Sequence, residues 1–185
     1  MKIHYTAQKK DILRKQVKES FLLEYHTEYA QKLCASLKFF SPFKEASCVG
    51  IYAPLSDEID CLPLLSLFPE KQFVFPRIEE NTLFFYEILK LSELRKGCYG
   101  ILEPEEDALC VPDCKLDMVI VPGCAFTHKN ERLGRGRGFY DRLLSRLRQL
   151  DTPPFFLGIA HPSQMVSSVY PEKHDEPLDK IFFLS

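Results

Sequence analysis

Three glycines alternate with two arginines in Gly134-Arg-Gly-Arg-Gly138, and an apolar pattern at helical spacing begins directly afterwards. Glycine at 134, 136 and 138 lets the chain turn tightly with its N–H groups uncovered, while Arg135 and Arg137 bring guanidinium groups beside them. That combination suits a phosphate. Apolar positions 140, 143, 144 and 147 predict a helix from about Phe139, so the loop ends at a helix N-terminus whose free N–H groups and dipole also favour anions. Asp141 falls in its first turn, where a carboxylate is favoured by the dipole and can carry the magnesium ion of a nucleoside triphosphate. The spacing fits neither Gly-x-x-x-x-Gly-Lys-Ser/Thr nor the dinucleotide fingerprint, so a different nucleotide-binding design is implied. Plainer readings of the pentapeptide are a flexible surface turn or an RNA-binding Arg-Gly fragment. Such fragments are usually repeated and disordered, whereas this one occurs once, between a strand pattern and a helix pattern.

The strand before the loop is Leu116–Pro122, closed by the turn chemistry of Pro122-Gly123. Cys48–Ala53 is a second continuous apolar run of the kind found in buried parallel strands, and it leads into Pro54-Leu-Ser-Asp-Glu-Ile-Asp60. Loops at the carboxyl ends of such strands carry ligand groups, which gives Glu58 both position and chemistry. The alternative makes Asp57, Glu58 and Asp60 the acids that open a helix near Cys61, the preferred account of Asp60. Further strands are expected at Gln72–Phe75, Thr82–Ile88, Phe155–Ala160 and Lys180–Leu184, with a short helix over 62–68, a helical turn over 92–96, a connector from Val111 and a brief helix or turn over 164–169. Apolar residues every fourth position from 13 to 37 predict helix from an N-cap at Thr6 to about Phe40, with a break near His26 and Thr27. Lys10 and Arg14 lie beside that apolar stripe, where spacing alone makes them cations emerging at the edge of the packing surface. Strands alternating with helices predict a three-layer α/β domain with a mainly parallel, doubly wound sheet.

At 185 residues, 45 % hydrophobic, the chain suits a single domain over 1–185 with a sizeable core. A formal charge of −2 argues against nucleic acid or an anionic membrane as the main partner. Seven cysteines, several inside apolar runs, read best as free buried thiols; Cys110 and Cys114 lack a second Cys or His pair at zinc-finger distance. With no apolar leader and no membrane-length run, a cytoplasmic protein is expected.

Pro122-Gly-x-Ala-Phe126 followed by Arg132-Leu-Gly-x-Gly-x-Gly-aromatic-Tyr-Asp-Arg142 closely resembles the signature of the 5-formyltetrahydrofolate cyclo-ligase family, also called methenyltetrahydrofolate synthetases. The resemblance extends through Lys10-x-x-Leu-Arg14, Tyr52-x-Pro-x-x-x-Glu-Ile-Asp60, Gly100-Ile-x-Glu-Pro104 and the His174-Asp175 segment. It implies a Rossmann-like fold, 5-formyltetrahydrofolate as substrate, ATP as co-substrate and Mg2+; a monomer is expected, with neither nucleic acid nor membrane as partner. Carried over position by position, it implies that Lys10, Arg14, Arg132, Leu133, Gly134, Arg135, Gly136, Arg137, Gly138, Phe139 and Tyr140 bind ATP, and that Ala53, Glu58 and Tyr140 bind the folate. Asp141 and Asp175 would hold the metal, and Arg135, Arg137, Tyr140 and Asp141 would act in catalysis. From chemistry alone, His174-Asp175 reads as a turn stabiliser, and Glu103 either lines the folate side or braces its loop. Phe139, Asn130 and Thr127 depart from the family's usual Tyr, Gly and Asp. A non-catalytic nucleotide- or RNA-binding module and another phosphotransferase on the same scaffold are the competing functions.

Overall fold

A computed structural model describes residues 2–25 and 27–184, with the side chains of residues 2–5 and Cys98 outside the description. Helices α1 (Lys2–Glu24), α2 (Thr27–Ser36) and α3 (Ser41–Glu45) precede the first strand, β1 (Cys48–Gly50). Thr6 lies inside α1 and is not its N-cap, because Lys2–Tyr5 ahead of it continue the helix without a Gly or Pro to break it. The expected break falls between Glu24 and Thr27, and His26 itself is outside the described residues.

After β1 the chain forms α4 (Pro63–Leu67), β2 (Gln72–Glu79), β3 (Thr82–Glu87), β4 (Leu94–Lys96), β5 (Leu102–Pro104), β6 (Cys110–Val111) and β7 (Met118–Val121). Then come β8 (Ala125–Phe126), β9 (Arg132–Leu133), α5 (Phe139–Leu147), β10 (Phe155–Ile159) and β11 (Lys180–Phe182). Proline at the first turn of α3 and of α4 costs no hydrogen bond there and presets the helical φ. Three local expectations change. Residues 94–96 form β4, paired antiparallel with β5, after a single 3-10 turn at 91–93; Val111 belongs to β6; and the turn expected at 164–169 lies at Pro162–Gln164.

Seven strands make the central sheet in the order β11-β10-β7-β1-β2-β3-β6. Pairs from β11 to β2 are parallel, and β3 pairs antiparallel with β2 and β6. Every residue of β7 is buried, as expected where helices cover both faces. Alternation along that strand sorts its side chains: Ile120 packs with Phe21, Leu33 and Phe43 of the N-terminal helices, whereas Val119 and Val121 pack with Leu143, Leu144 and Leu147 of α5. Truncating one α5 leucine to alanine would cost about 2–5 kcal/mol.

The winding sets the site. From β1 the chain proceeds to β2 through α4, and from β7 to β10 through α5, on the opposite face. Adjacent strands β1 and β7 therefore send their connections apart, leaving a crevice at their carboxyl ends where open α/β sheets bind ligands. No helix among the described residues is long and apolar enough to cross a membrane. Cys34, Cys48 and Cys61 are buried, but Cys110 and Cys114 are exposed: on the short edge strand β6 Val111 faces the core and Cys110 faces away, and Cys114 lies in the turn after it.

Candidate active site

A pocket of about 280 Å³ occupies that crevice. Tyr52, Ala53 and Glu58 enter from the chain after β1, Pro122 and Gly123 from the end of β7, and Gly134, Arg135, Arg137 and Gly138 from the glycine loop. Phe139, Tyr140 and Asp141 complete that side from the first turn of α5.

The loop after β1 is shaped from within. The buried Tyr52 hydroxyl donates to the Ile59 carbonyl at 2.9 Å, and the Leu55 N–H donates to Glu58 Oε2 at 3.0 Å. Asp60 accepts from the Leu62 N–H at 2.9 Å, leading the chain into α4 as its preferred role requires. Glu58 is thereby turned inward and buried.

The glycine loop is held at both ends. β8 and β9 form a hairpin whose turn is closed by Thr127: its hydroxyl donates to Glu131 Oε2 at 3.0 Å and accepts from the N–H groups of Lys129 and Glu131. Asn130 takes φ 63° in that turn, a conformation its short amide side chain tolerates. Gly134 is required by close approach, since a Cβ there would lie 2.5 Å from an Arg132 nitrogen. Gly136 and Gly138 have φ of 88° and 68°, which glycine adopts without strain, and Gly138 starts α5. Arg14 supports the loop from α1, its Nε donating to the Gly134 carbonyl at 2.9 Å and Nη1 pairing with Asp11 at 2.5 Å. Leu133 points away from the pocket into a small cluster with Val17, Ala125 and Val169.

Like Arg14, the other four cations assigned to phosphate already have partners. Arg132 is almost fully buried; its Nη2 lies 2.8 Å from Asp141 Oδ1 and its Nη1 donates to the Pro122 carbonyl. Arg135 bridges Asp57 at 2.7 Å and Glu58 at 3.0 Å. Burial opposes charge on Asp57, yet the Arg135 guanidinium, aided by Lys18, holds that carboxyl below its ordinary range. Arg137 lies 4.4 Å above the Tyr99 ring. Lys10 is buried rather than at the packing edge, its ammonium 2.6 Å from Asp175 and 2.9 Å from Glu172. Burial lowers its affinity for the proton, but the two carboxylates more than compensate and raise its pKa. The turn role of Asp175 is visible as well, since its Oδ2 accepts from the Glu172 N–H at 2.8 Å. Burial, reinforced by the charge of Glu58, keeps the Tyr140 hydroxyl protonated far above neutrality.

Of the residues chosen from sequence, Lys10, Arg14, Leu133, Gly136 and Asp175 do not line the pocket, while the others do. Asp141 and Asp175 sit in two separate ion pairs, and no group of three or more His, Cys, Asp or Glu among the described residues could hold a metal. An ion delivered on a triphosphate needs only one or two carboxylates, so the donor set fits magnesium in that form. Arg77 packs 3.8 Å over the Tyr86 ring and pairs with Glu79 at 2.6 Å. Sequence reasoning did not single out Ile78, Leu83 and Tyr99, which build the far wall. Ile78 and Leu83 flank the tight turn at Glu80-Asn81, and Tyr99 precedes Gly100, so turn chemistry was the available signal.

Fold and site together define an α/β protein whose pocket lies between a glycine–arginine loop at a helix N-terminus and the loop after β1. A model of the "5-formyltetrahydrofolate cyclo-ligase family" matches residues 6–183. The chain belongs to this family. It is 30% identical over 164 residues to the 5-formyltetrahydrofolate cyclo-ligase of Escherichia coli K12, covering 85% of this chain and 89% of that one. The mouse protein of the same name is 24% identical, with 76% and 75% covered. A solved Aquifex aeolicus 5,10-methenyltetrahydrofolate synthetase superposes with a TM-score of 0.79 at 30% identity, covering 94% of this chain and 88% of that one.

Proposed function

We propose that the protein converts 5-formyltetrahydrofolate and ATP into 5,10-methenyltetrahydrofolate, ADP and phosphate, acting as a single-domain cytoplasmic monomer. The observation that carries this reading is one pocket in which a phosphate-type loop at a helix N-terminus faces the buried Glu58 carboxylate. The chemistry needs both. The N5 formyl group is an amide whose carbonyl resists attack by N10 and whose oxygen leaves poorly. Transfer of the γ-phosphoryl group to that oxygen makes an imidate-like phosphate, N10 closes the ring, and phosphate departs.

The protein's part is positioning and charge stabilisation. Arg132, Arg135, Arg137 and the N–H groups of the Gly134–Gly138 loop receive the phosphates, with Lys10 and Arg14 acting from α1. Glu58 accepts adjacent donors of the pterin, amino and ring N–H, in a geometry suited to a carboxylate. Ala53 lies beside it with no bulk to block a flat ring, and Phe139 and Tyr140 offer aromatic faces. Asp141 and Asp175 would hold the magnesium ion accompanying ATP, which would offset the negative charge gathering on the phosphates. The test mixes purified protein with 5-formyltetrahydrofolate, magnesium and ATP and follows methenyltetrahydrofolate by its near-ultraviolet absorbance. ATP-dependent product supports the reading; folded protein that makes none rejects it in favour of a binding module or another phosphotransferase.

A further inference from the structure

Three carboxyl groups line the pocket: Glu58, Glu103 and Asp141. Two are neutralised, Glu58 by Arg135 and Asp141 by Arg132. Glu103 is not. It is 7% exposed on β5, its carboxyl takes a hydrogen bond from the Ile78 backbone N–H, and its Oε1 is buried with no partner among the described residues. Arg77, the cation whose charge reaches it, is engaged by Glu79, the Glu105 carbonyl and the Tyr86 ring. Leaving such an oxygen unsatisfied is destabilising, a cost that an N–H of a bound ligand would remove.

Its surroundings indicate which N–H. The Tyr99 ring lies 5.9 Å from Phe139 and under Arg137, so the wall running from Tyr99 to Glu103 stands against the phosphate loop. Gly97 makes room for the carboxyl, since a Cβ there would lie 2.6 Å from it. For phosphoryl transfer the formyl oxygen must face the loop. In that arrangement N10, adjacent to the formyl carbon, lies between the loop and this wall, where Glu103 is the pocket carboxyl with no salt-bridged cation among the described residues.

We propose that Glu103 is a further catalytic residue, the general base that removes the N10 proton as the ring closes; this rests on the cyclo-ligase reading above. The N10 lone pair forms the bond to the phosphorylated formyl carbon, the N10 proton passes to the Glu103 carboxylate, and the C–O bond breaks with its electron pair leaving on phosphate. Glu103 then returns the proton to solvent. Burial raises its pKa despite the Ile78 N–H and Arg77, which makes the carboxylate a stronger base than an exposed glutamate.

Glu103→Gln keeps the shape and an acceptor for Ile78 but cannot take the proton, whereas Glu103→Asp keeps the carboxylate. Rapid-quench measurement of ADP alongside stopped-flow absorbance of product separates phosphoryl transfer from ring closure. For Glu103→Gln we expect kcat to fall about 100-fold or more, while folate KM stays within about threefold. First-turnover ADP should form at the wild-type rate with methenyl product lagging behind it, and Glu103→Asp should recover part of kcat. A folded Gln variant with wild-type kcat, or one that slows ADP and product equally, overturns the assignment while wild-type turnover leaves the cyclo-ligase reading standing. Absence of wild-type turnover overturns both.

Discussion

Arg135 Nε donates to Glu58 Oε1 at 3.0 Å, so the loop assigned to the triphosphate and the carboxylate assigned to the pterin hold each other. The pair also fixes Arg135 Nη2 on Asp57 Oδ1 at 2.7 Å. Phosphate oxygens drawing Arg135 away would leave Glu58 free to accept from the folate. Binding of one substrate would thus prepare the site for the other.

Folate should therefore bind more tightly when a non-hydrolysable ATP analogue is present. Couplings of this kind run to about 1–3 kcal/mol, or roughly 5- to 150-fold in affinity. Calorimetric titration with and without the analogue measures it, and in Arg135→Ala the two folate affinities should become equal. An unchanged ratio in that variant would show that the ion pair does not couple the ligands. Glu58→Gln should chiefly weaken folate.

Arg14 touches the glycine loop but not the pocket. Its Nε bonds the Gly134 carbonyl, and its guanidinium lies about where a side chain at Gly136 would go, with Nη2 3.3 Å from an added Cβ. Arg14→Ala should raise the KM for ATP about tenfold while the fold remains intact. Gly136→Ala adds strain at φ 88° and crowds Arg14, so it should impair ATP use at least as much. ATP KM values and thermal melts check both; unchanged ATP kinetics in Arg14→Ala would remove its phosphate role.

The path from Met118 to Leu147 was legible because strand, turn, glycine loop and helix follow one another, each marked by local chemistry. Glu58 was legible too, since the apolar run of β1 stops just before its loop. What the sequence hid depends on distant partners. Lys10 is buried by carboxylates 162 and 165 residues away, and no spacing within α1 signals that. Glu103 became a buried carboxyl lining the pocket through the β4–β5 hairpin, where Leu94-Arg-Lys96, three residues with two charges, carries too little pattern to announce a strand.

Gly97 tests the same wall without touching Glu103 chemically. A methyl group there would meet the Glu103 carboxyl at 2.6 Å and force it to move. Gly97→Ala should lower kcat about tenfold or more, a displacement of about 1 Å at a catalytic group being sufficient. It should leave ATP KM alone. Steady-state kinetics in both substrates decides, and wild-type kcat would mean that the carboxyl's position is immaterial.

Glu103 also carries a stability signature. Burial lifts its folded-state pKa above the ordinary value of 4.5, although the Ile78 N–H and Arg77 pull the other way. Below pH 4.5 the carboxyl is protonated whether folded or unfolded and costs nothing extra. As pH rises, the unfolded chain loses the proton first, so wild-type stability declines until the folded pKa is passed and the full cost of a buried charge is reached. Glu103→Gln has no charge to bury. It should melt above wild type at pH 7, by about 2–4 °C for each kcal/mol recovered, and the advantage should vanish below about pH 4. Asp57 and Asp175, whose pKa values the fold lowers, weaken both proteins alike on acidification and cancel in the comparison. Calorimetric melting of the two proteins from pH 4 to 8 measures the difference; a gap that widens toward acid, or a Gln variant less stable at pH 7, would contradict a buried glutamate kept for chemistry at the expense of stability.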